Sequence, residues 1–536
     1  MRDGDGTSLP GFPQATADKY RATGWWGDQT LAQRIDELTR RAPLQPAFIV
    51  GDRRTTWREY AELSHRIAQS LLRLDLPKGA RIAVLLPDGA ELHAAFVGCE
   101  RAGLVAVGIG ARAGEAEIAH ILKRTQAGTL LTTQRLGLRE TATIIEMLAA
   151  HGAKPRVVRL EECLAHPASG MAERPLGPDE LFLINSTSGT TGLPKCVMHT
   201  QNRWFYFHKL AAAAAGFRDD EIFMPIVPGP FGFGLWTAHF SPAALGCPSV
   251  LMARFDADAA LDLIARERVT VLCCVSTQFI MLLNAQAERP RDLSSLRAMF
   301  TGGEAVPFER AAEFERVTGA AVLQFYGSNE TGALSRTTAA DTRDRRLRTA
   351  GRIIPEMDVR LFDPDTLADI TETSRIGQPG CRGPATCIGY WDDAEANRKL
   401  FTESGHMLMG DIVEIDEEGY LRVVGRTSDF IIRGGKNISA PAVEAEVATH
   451  PDIAMVAAVP APDPVLGERV CIYALVRPGR TVDLQSITAH LALRGVSKEW
   501  FPEHLVVLDD LPRSSGGKIA KAELREDARK RWSGER

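Results

Sequence analysis

No uninterrupted apolar stretch in this chain approaches the ~20 residues that a membrane-spanning helix needs, so no membrane segment is expected. The start, Met1-Arg2-Asp3-Gly4-Asp5-Gly6, is polar and runs into proline and glycine rather than an apolar core, which argues against a signal peptide. Charge of one sign is also lacking. The formal net charge is −5 over 536 residues, leaving no broad basic excess to neutralise phosphates, and this excludes an extended nucleic-acid footprint. Nine cysteines are present but scattered. Apart from Cys273-Cys274 they form no pair, no Cys-x-x-Cys and no His-bearing metal spacing. Reduced, buried thiols in a cytoplasmic setting are therefore expected, rather than a disulfide framework or a zinc site. No internal repeat is visible.

What is present is an ordinary globular composition, 45% hydrophobic and 24% charged, in a chain too long for one core. Short apolar runs such as Arg81 to Leu86, Thr129 to Leu131 and Val269 to Cys274 alternate with helical patterns such as Trp57 to Leu74 and Ala116 to Arg124. That alternation predicts α/β layers with buried sheets. After about Gly425 the texture changes to short β signals, Phe430 to Ile432 and Val456 to Val459, with two helices and a basic tail from Lys518. A smaller α+β unit is expected there.

The stretch Ser186-Thr187-Ser188-Gly189-Thr190-Thr191-Gly192-Leu193-Pro194-Lys195 concentrates four hydroxyls after Ser186 with two glycines and a lysine. Small residues let backbone N–H groups approach an anion, hydroxyls donate, and lysine adds charge. It is not a Walker loop, because Leu193 and Pro194 separate Gly192 from Lys195. By itself such a stretch reads equally as a flexible loop. It follows the apolar Leu181-Phe182-Leu183-Ile184, and ligands of α/β sheets favour such strand ends.

Together with Tyr326-Gly327-Ser328-Asn329-Glu330-Thr331, Gly410-Asp411, Gly425-Arg426-Thr427-Ser428-Asp429 and Pro512-Arg513-Ser514-Ser515-Gly516-Gly517-Lys518, this stretch resembles the adenylate-forming superfamily of acyl-CoA synthetases, adenylation domains and luciferases. The resemblance spans nearly the whole chain. It implies an α/β fold with a large N-terminal domain of layered α/β subdomains, residues 1–428, and a small mobile α+β C-terminal domain, residues 429–536, hinged at Asp429. It also implies an enzyme that uses ATP, Mg²⁺ and coenzyme A to activate a carboxylic acid. Thr187, Ser188, Gly189, Thr190, Thr191, Gly192 and Lys195 would hold the β- and γ-phosphates, and Glu330 would bind Mg²⁺. Tyr326 with Gly327 would lie against adenine, and Gly302, Gly303 and Glu304 would form the opposing wall. Asp411 would accept from the ribose hydroxyls, Arg426 would contact ribose or phosphate, and Asn329 would reach the α-phosphate in place of the usual threonine. Lys518 would bridge carboxylate and α-phosphate in the first half-reaction. Without the resemblance, Lys518 and Lys521 read as a solvated tail and Tyr326 as a core aromatic.

Phe231 takes the gate position of the acid pocket, with Gly232, Phe233, Gly234 and Ser328 as further acid-contacting residues. Phenylalanine and glycine predict a roomy apolar site, without the asparagine usual in dihydroxybenzoate-type relatives. Trp25-Trp26-Gly27-Asp28 resembles the opening of aryl- and alicyclic-acid ligases, which favours a cyclic, aryl or polycyclic acid. Met409, Ser428 and Ser439-Ala440-Pro441-Ala442 depart from the family pattern on the side used for thioester formation. The alternative is therefore an adenylating enzyme that passes its acyl-adenylate to a carrier protein or a separate thiolating partner. The partners expected are a small carboxylic acid and, at most, such an acceptor and a second copy in a homodimer, with no nucleic acid and no membrane.

Overall fold

The computed structural model describes residues 12–187, 194–303, 306–426, 430–433, 436–513 and 519–532. One sheet is ordered Gly389–Tyr390, Cys196–His199, Leu183–Ser186, Val105–Gly108, Arg81–Leu85, Thr129–Thr132 and Arg156–Arg159. The inner strands are parallel, with Ile82 beside Ala106 and Thr129, and they are buried on both faces. A second sheet runs Arg352–Ile353, Gly332–Arg336, Ala321–Ser328, Ala298–Gly302, Val271–Cys273, Phe223–Pro225, Ser249–Leu251, Pro46–Val50 and Arg53–Thr56.

Alternate strand residues go to different cores, because successive side chains point to opposite faces. Ile82 and Val84 join Phe223, Phe300 and Leu323 in a core common to both sheets. Ala83 and Leu85 pack with Ile118, Ile121 and Leu122 on the far face of the first sheet. Met224, Leu272, Met299 and Val322 do the same on the far face of the second.

The expected helices form. Trp57–Leu72 opens with a capping box in which Thr56 Oγ1 accepts from the Glu59 N–H at 3.2 Å and Glu59 Oε2 from the Thr56 N–H at 2.8 Å. Such a cap is worth about 1 kcal/mol. The helix packs on Ala90–Arg101, where a side chain at Gly98 would meet Ile67 Cγ2 at 2.7 Å. Glu115–Thr125 has the same origin, an apolar face carrying Ile118, Ile121 and Leu122.

A third, antiparallel sheet contains Asp358–Phe362, Ile376–Arg382, Asp411–Ile415 and Leu421–Arg426. The C-terminal unit has its own sheet, ordered Lys436–Ser439, Phe430–Arg433, Gly467–Val476 and Ile453–Asp463, with His504–Leu508 parallel to Gly467–Val476. One face packs Val456, Ala458 and Ile472 against Val443, Ile487 and Leu491 of its helices. The basic tail is not free. Lys521–Trp532 is a helix that buries Leu524 and Ala528 in the same cluster as Ala457 and Val459, and Lys521 Nζ pairs with Glu444 Oε1 at 2.6 Å. All nine cysteines are buried free thiols. No described helix is long and apolar enough to cross a membrane. The hinge position Asp429 lies outside the described residues.

Candidate active site

The strands Leu183–Ser186 and Cys196–His199 form an antiparallel pair with Ser186 opposite Cys196. The phosphate stretch joins them, and the Thr187 N–H donates to the Lys195 carbonyl at 3.0 Å to close its base. Ser188, Gly189, Thr190, Thr191 and Gly192 fall outside the described residues, as do Glu304 and Lys518. Lys195 is described, and its ammonium lies over the Tyr390 ring, 4.8 Å from the centroid. Among the described residues no group of three or more potential metal-ligating side chains occurs. Glu330, the residue that the resemblance assigns to magnesium, would offer the ion a single carboxylate, as in sites where phosphate oxygens and water supply the other ligands.

Glu330 sits on a tight turn between Ala321–Ser328 and Gly332–Arg336. Ser328 Oγ accepts from the N–H groups of Glu330 and Thr331 at 3.2 and 3.1 Å, and the Ser328 N–H donates to Thr331 Oγ1 at 2.9 Å. The Ser328 hydroxyl is thus committed to the turn. Gly327 is required here, because a Cβ would come within 1.6 Å of the Gly332 carbonyl oxygen. Likewise a Cβ on Gly302 would meet the Phe325 carbonyl at 2.5 Å, and Gly303 has a positive φ of 77°. Backbone rather than side chain therefore lines this wall. The Tyr326 hydroxyl donates to Asp411 Oδ2 at 2.7 Å, and Asp411 pairs in register with Arg426 on the next strand. The sequence-predicted Tyr326 and Asp411 thus come together from two different sheets.

Beneath the turn lies a polar chain that no local sequence pattern signals. Arg203, fully buried, donates Nε to the Ala385 carbonyl at 2.8 Å and Nη1 to the Asn329 carbonyl at 3.0 Å and to His199 Nδ1 at 2.6 Å. His199 must then carry its proton on Nε2, which donates to Asn185 Oδ1 at 2.7 Å. Asn185 Nδ2 donates to the Pro230 carbonyl at 3.0 Å, and Asn329 Nδ2 to Asn185 Oδ1 at 2.7 Å. The tautomer of His199 and the amide orientation of Asn185 are thereby fixed, while Asn329 Oδ1 is buried without a hydrogen-bond partner among the described residues. Burial and the nearby Arg203 charge push His199 well below the usual histidine range, so it is neutral. Burial also lowers Arg203 to about 10, still charged at neutral pH. This buried cation has only neutral hydrogen-bond partners among the described residues, and the nearby Glu330 carboxylate acts on it through its charge.

The acid-side loop is built differently. Phe231 packs over Gly110, where a Cβ would approach its ring to 3.2 Å, and Gly234 is needed because a Cβ would lie 2.1 Å from the Pro228 carbonyl oxygen. Phe233 stacks on Trp236 with ring centroids 5.8 Å apart. Gly232 lies under Asn329 and Trp204, with a Cβ position only 2.6 and 3.0 Å from Asn329 Oδ1 and Trp204 Cη2. Behind the loop, the Gly229 N–H donates to Asp88 Oδ1 at 2.8 Å, and burial pushes Asp88 up to about 6. Leu235–Phe240 continues as a π-helix, a geometry frequent at functional sites. Trp26 of the opening motif is 3% exposed and donates Nε1 to the Pro384 carbonyl at 3.0 Å, so it fastens the N-terminal segment to the body.

The chain matches the family model described as AMP-binding enzyme over residues 35–391 and that described as AMP-binding enzyme C-terminal domain over residues 442–518. It is 31% identical over 543 residues to a salicylyl-CoA synthase / salicylate adenylyltransferase of a Streptomyces species, covering 97% of each chain. It is 30% identical over 547 residues to the medium-chain fatty-acid–CoA ligase of Escherichia coli K12, covering 97% of this chain and 94% of that one. The o-succinylbenzoate coenzyme A synthetase of Bacillus subtilis, in complex with ATP and a magnesium ion, superposes with a TM-score of 0.79 at 26% identity, covering 92% of this chain and 99% of that one.

Proposed function

The chain belongs to the AMP-binding enzyme family, and on that premise we propose that it adenylates a hydrophobic cyclic, aryl or polycyclic carboxylic acid and transfers the acyl group to coenzyme A. The observation that carries this reading is that one strand and turn, 326–330, bonds Asp411 through Tyr326 and, through Glu330, bonds the Tyr390 whose ring carries the Lys195 ammonium. The first step joins a substrate carboxylate oxygen to the α-phosphorus of ATP and expels pyrophosphate. In the second, a thiol attacks the acyl carbon and AMP leaves. Both first-step reactants are anions, so alignment and charge neutralisation are what the protein must supply.

Asp411, held by the Tyr326 hydroxyl, accepts from the ribose hydroxyls, and the Tyr326 ring and the backbone of Gly302 and Gly303 flank the base. Glu330 would hold Mg²⁺, which supplies charge neutralisation on the phosphates when bound. Lys195 contacts the leaving phosphates. Lys518 acts in adenylation alone, with the C-terminal unit turning about Asp429 between the two half-reactions. Phe231 and Phe233 set the acid's shape, which supports a flat apolar ring over a polar chain. The relatives whose names include salicylate and fatty acid support an apolar acid without choosing between classes.

The test is pyrophosphate release and CoA-thioester formation, measured side by side on fatty, aryl, alicyclic and polycyclic acids. Both products with a ring-bearing acid are expected. Preference for straight-chain fatty acids overturns the acid assignment, and pyrophosphate with acyl-AMP but no thioester points to a carrier protein or separate thiolating partner instead.

A further inference from the structure

Tyr390 is absent from every motif singled out in the sequence, yet it touches two residues given charged roles above. Its hydroxyl donates to Glu330 Oε1 at 2.7 Å, and the Lys195 ammonium rests on its ring face at 4.8 Å. It is 5% exposed and its backbone is pinned. Asn397 Oδ1 accepts from the Tyr390 N–H and Asn397 Nδ2 donates to the Tyr390 carbonyl, both at 2.8 Å. Strand Gly389–Tyr390 pairs with Cys196–His199, Tyr390 opposite Val197, and the Trp391 N–H donates to the Cys196 carbonyl at 2.8 Å. The ring is therefore fixed to the same strand from which Lys195 emerges. Burial and the Glu330 carboxylate push its hydroxyl well above the usual tyrosine range, so it stays a donor.

A lysine and a carboxylate sharing one ring would otherwise be drawn together, and neither makes an ion pair with any described residue. We propose that Tyr390 is a positioning residue that keeps Lys195 and Glu330 apart in the nucleotide-free enzyme, parking the ammonium on its ring and the carboxylate on its hydroxyl. Both charges are then ready for Mg·ATP without an internal ion pair having to break. Lys195 exchanges a weak ring contact for phosphate oxygens, and Glu330 keeps one oxygen on the phenol while the other is free to meet the metal. This rests on the phosphate and magnesium roles proposed for Lys195 and Glu330.

Two readings of the full chain test it: ATP affinity by calorimetry without magnesium, and the magnesium concentration that half-saturates acid-dependent pyrophosphate release. Tyr390→Leu removes ring and hydroxyl and lets the two charges pair, so magnesium-free ATP affinity falls about tenfold, the scale of one charged contact. Adding Glu330→Gln removes the competing charge and returns affinity to within about threefold of the parent, a coupling that lost packing alone does not produce. Tyr390→Phe keeps the ring, so magnesium-free affinity stays within about twofold while half-saturating magnesium rises about fivefold, the loss of one hydrogen bond to a charged group. Parent-like ATP affinity in Tyr390→Leu, or a loss that Glu330→Gln does not relieve, overturns the proposal. If the leucine variant melts early, the phenylalanine variant decides, and unchanged magnesium half-saturation there overturns it. Failure of the parent chain to bind ATP would instead overturn the adenylation reading itself.

Discussion

The turn at Tyr326–Thr331 and the loop at Phe231–Gly234 lie against each other through Asn329 and Gly232, and they are held in opposite ways. In the turn the side chains themselves are bonded: Tyr326 to Asp411, Ser328 to two backbone N–H groups, Asn329 to Asn185 and Glu330 to Tyr390. In the loop the side chains are rings and hydrogens. Its polar bonds are made by backbone, such as the Leu235 N–H to the Phe231 carbonyl at 2.8 Å, or by neighbours such as Asn185 reaching the Pro230 carbonyl. A nucleotide presents the same polar atoms in every turnover, so a bonded frame can be built around it. Beyond its carboxylate, the apolar acid proposed above would offer mainly shape, and shape is recognised by packing.

The sharpest break of this comparison is at Gly327. Gly327→Ala would place a Cβ inside the Gly332 carbonyl, and a loss of more than about 4 kcal/mol in unfolding free energy is expected, read by denaturant titration. Glu330→Gln comes next. It keeps the turn and an acceptor for Tyr390 but removes a charge, so adenylation should fall about 10²- to 10³-fold with little change in melting temperature. Phe231→Ala should act on the other side alone, changing the ratio of kcat/KM between a ring acid and a chain acid by about 10- to 200-fold while the ATP KM holds. A larger change in ATP KM than in acid preference would mean the two regions are not separable.

The smallest effect is a pH dependence behind the acid loop. Asp88 is raised from 3.8 to about 6 in the folded chain, so the folded state binds its proton more tightly than the unfolded one. Its contribution to stability is full below about pH 4 and is lost as pH rises through 6, up to about 3 kcal/mol. Asp88→Asn keeps an acceptor for the Gly229 N–H and should flatten that part of the stability profile between pH 4 and 7. An unchanged profile would show that Asp88 is not the titrating group.

The backbone of the turn at Tyr326–Thr331 and of the neighbouring Gly302 was legible because its requirements are local. Glycine at 327 is forced by the Gly332 carbonyl five residues on, and glycine at 302 by the Phe325 carbonyl on the neighbouring strand. The strands at 81–85 and 129–132 and the helices at 57–72 and 115–125 followed from periodicity for the same reason. The reading of Lys521 as part of a solvated tail did not survive, since a mostly charged helix shows little of the two apolar residues, Leu524 and Ala528, that dock it. Ser328, expected beside the acid, has its hydroxyl bonded into the turn in the described structure.

By itself the sequence determined the layered α/β class and the family, because spacing along the chain controls backbone conformation and local chemistry. Only the tertiary structure decided that Arg203, His199, Asn185 and Asn329 form one directional chain, and that Tyr390 stands between Lys195 and Glu330. The reason is distance along the chain. Tyr390 and Glu330 are 60 residues apart and Asn329 and Asn185 are 144 apart, so their pairing is set by which strands lie side by side and has no local pattern to betray it.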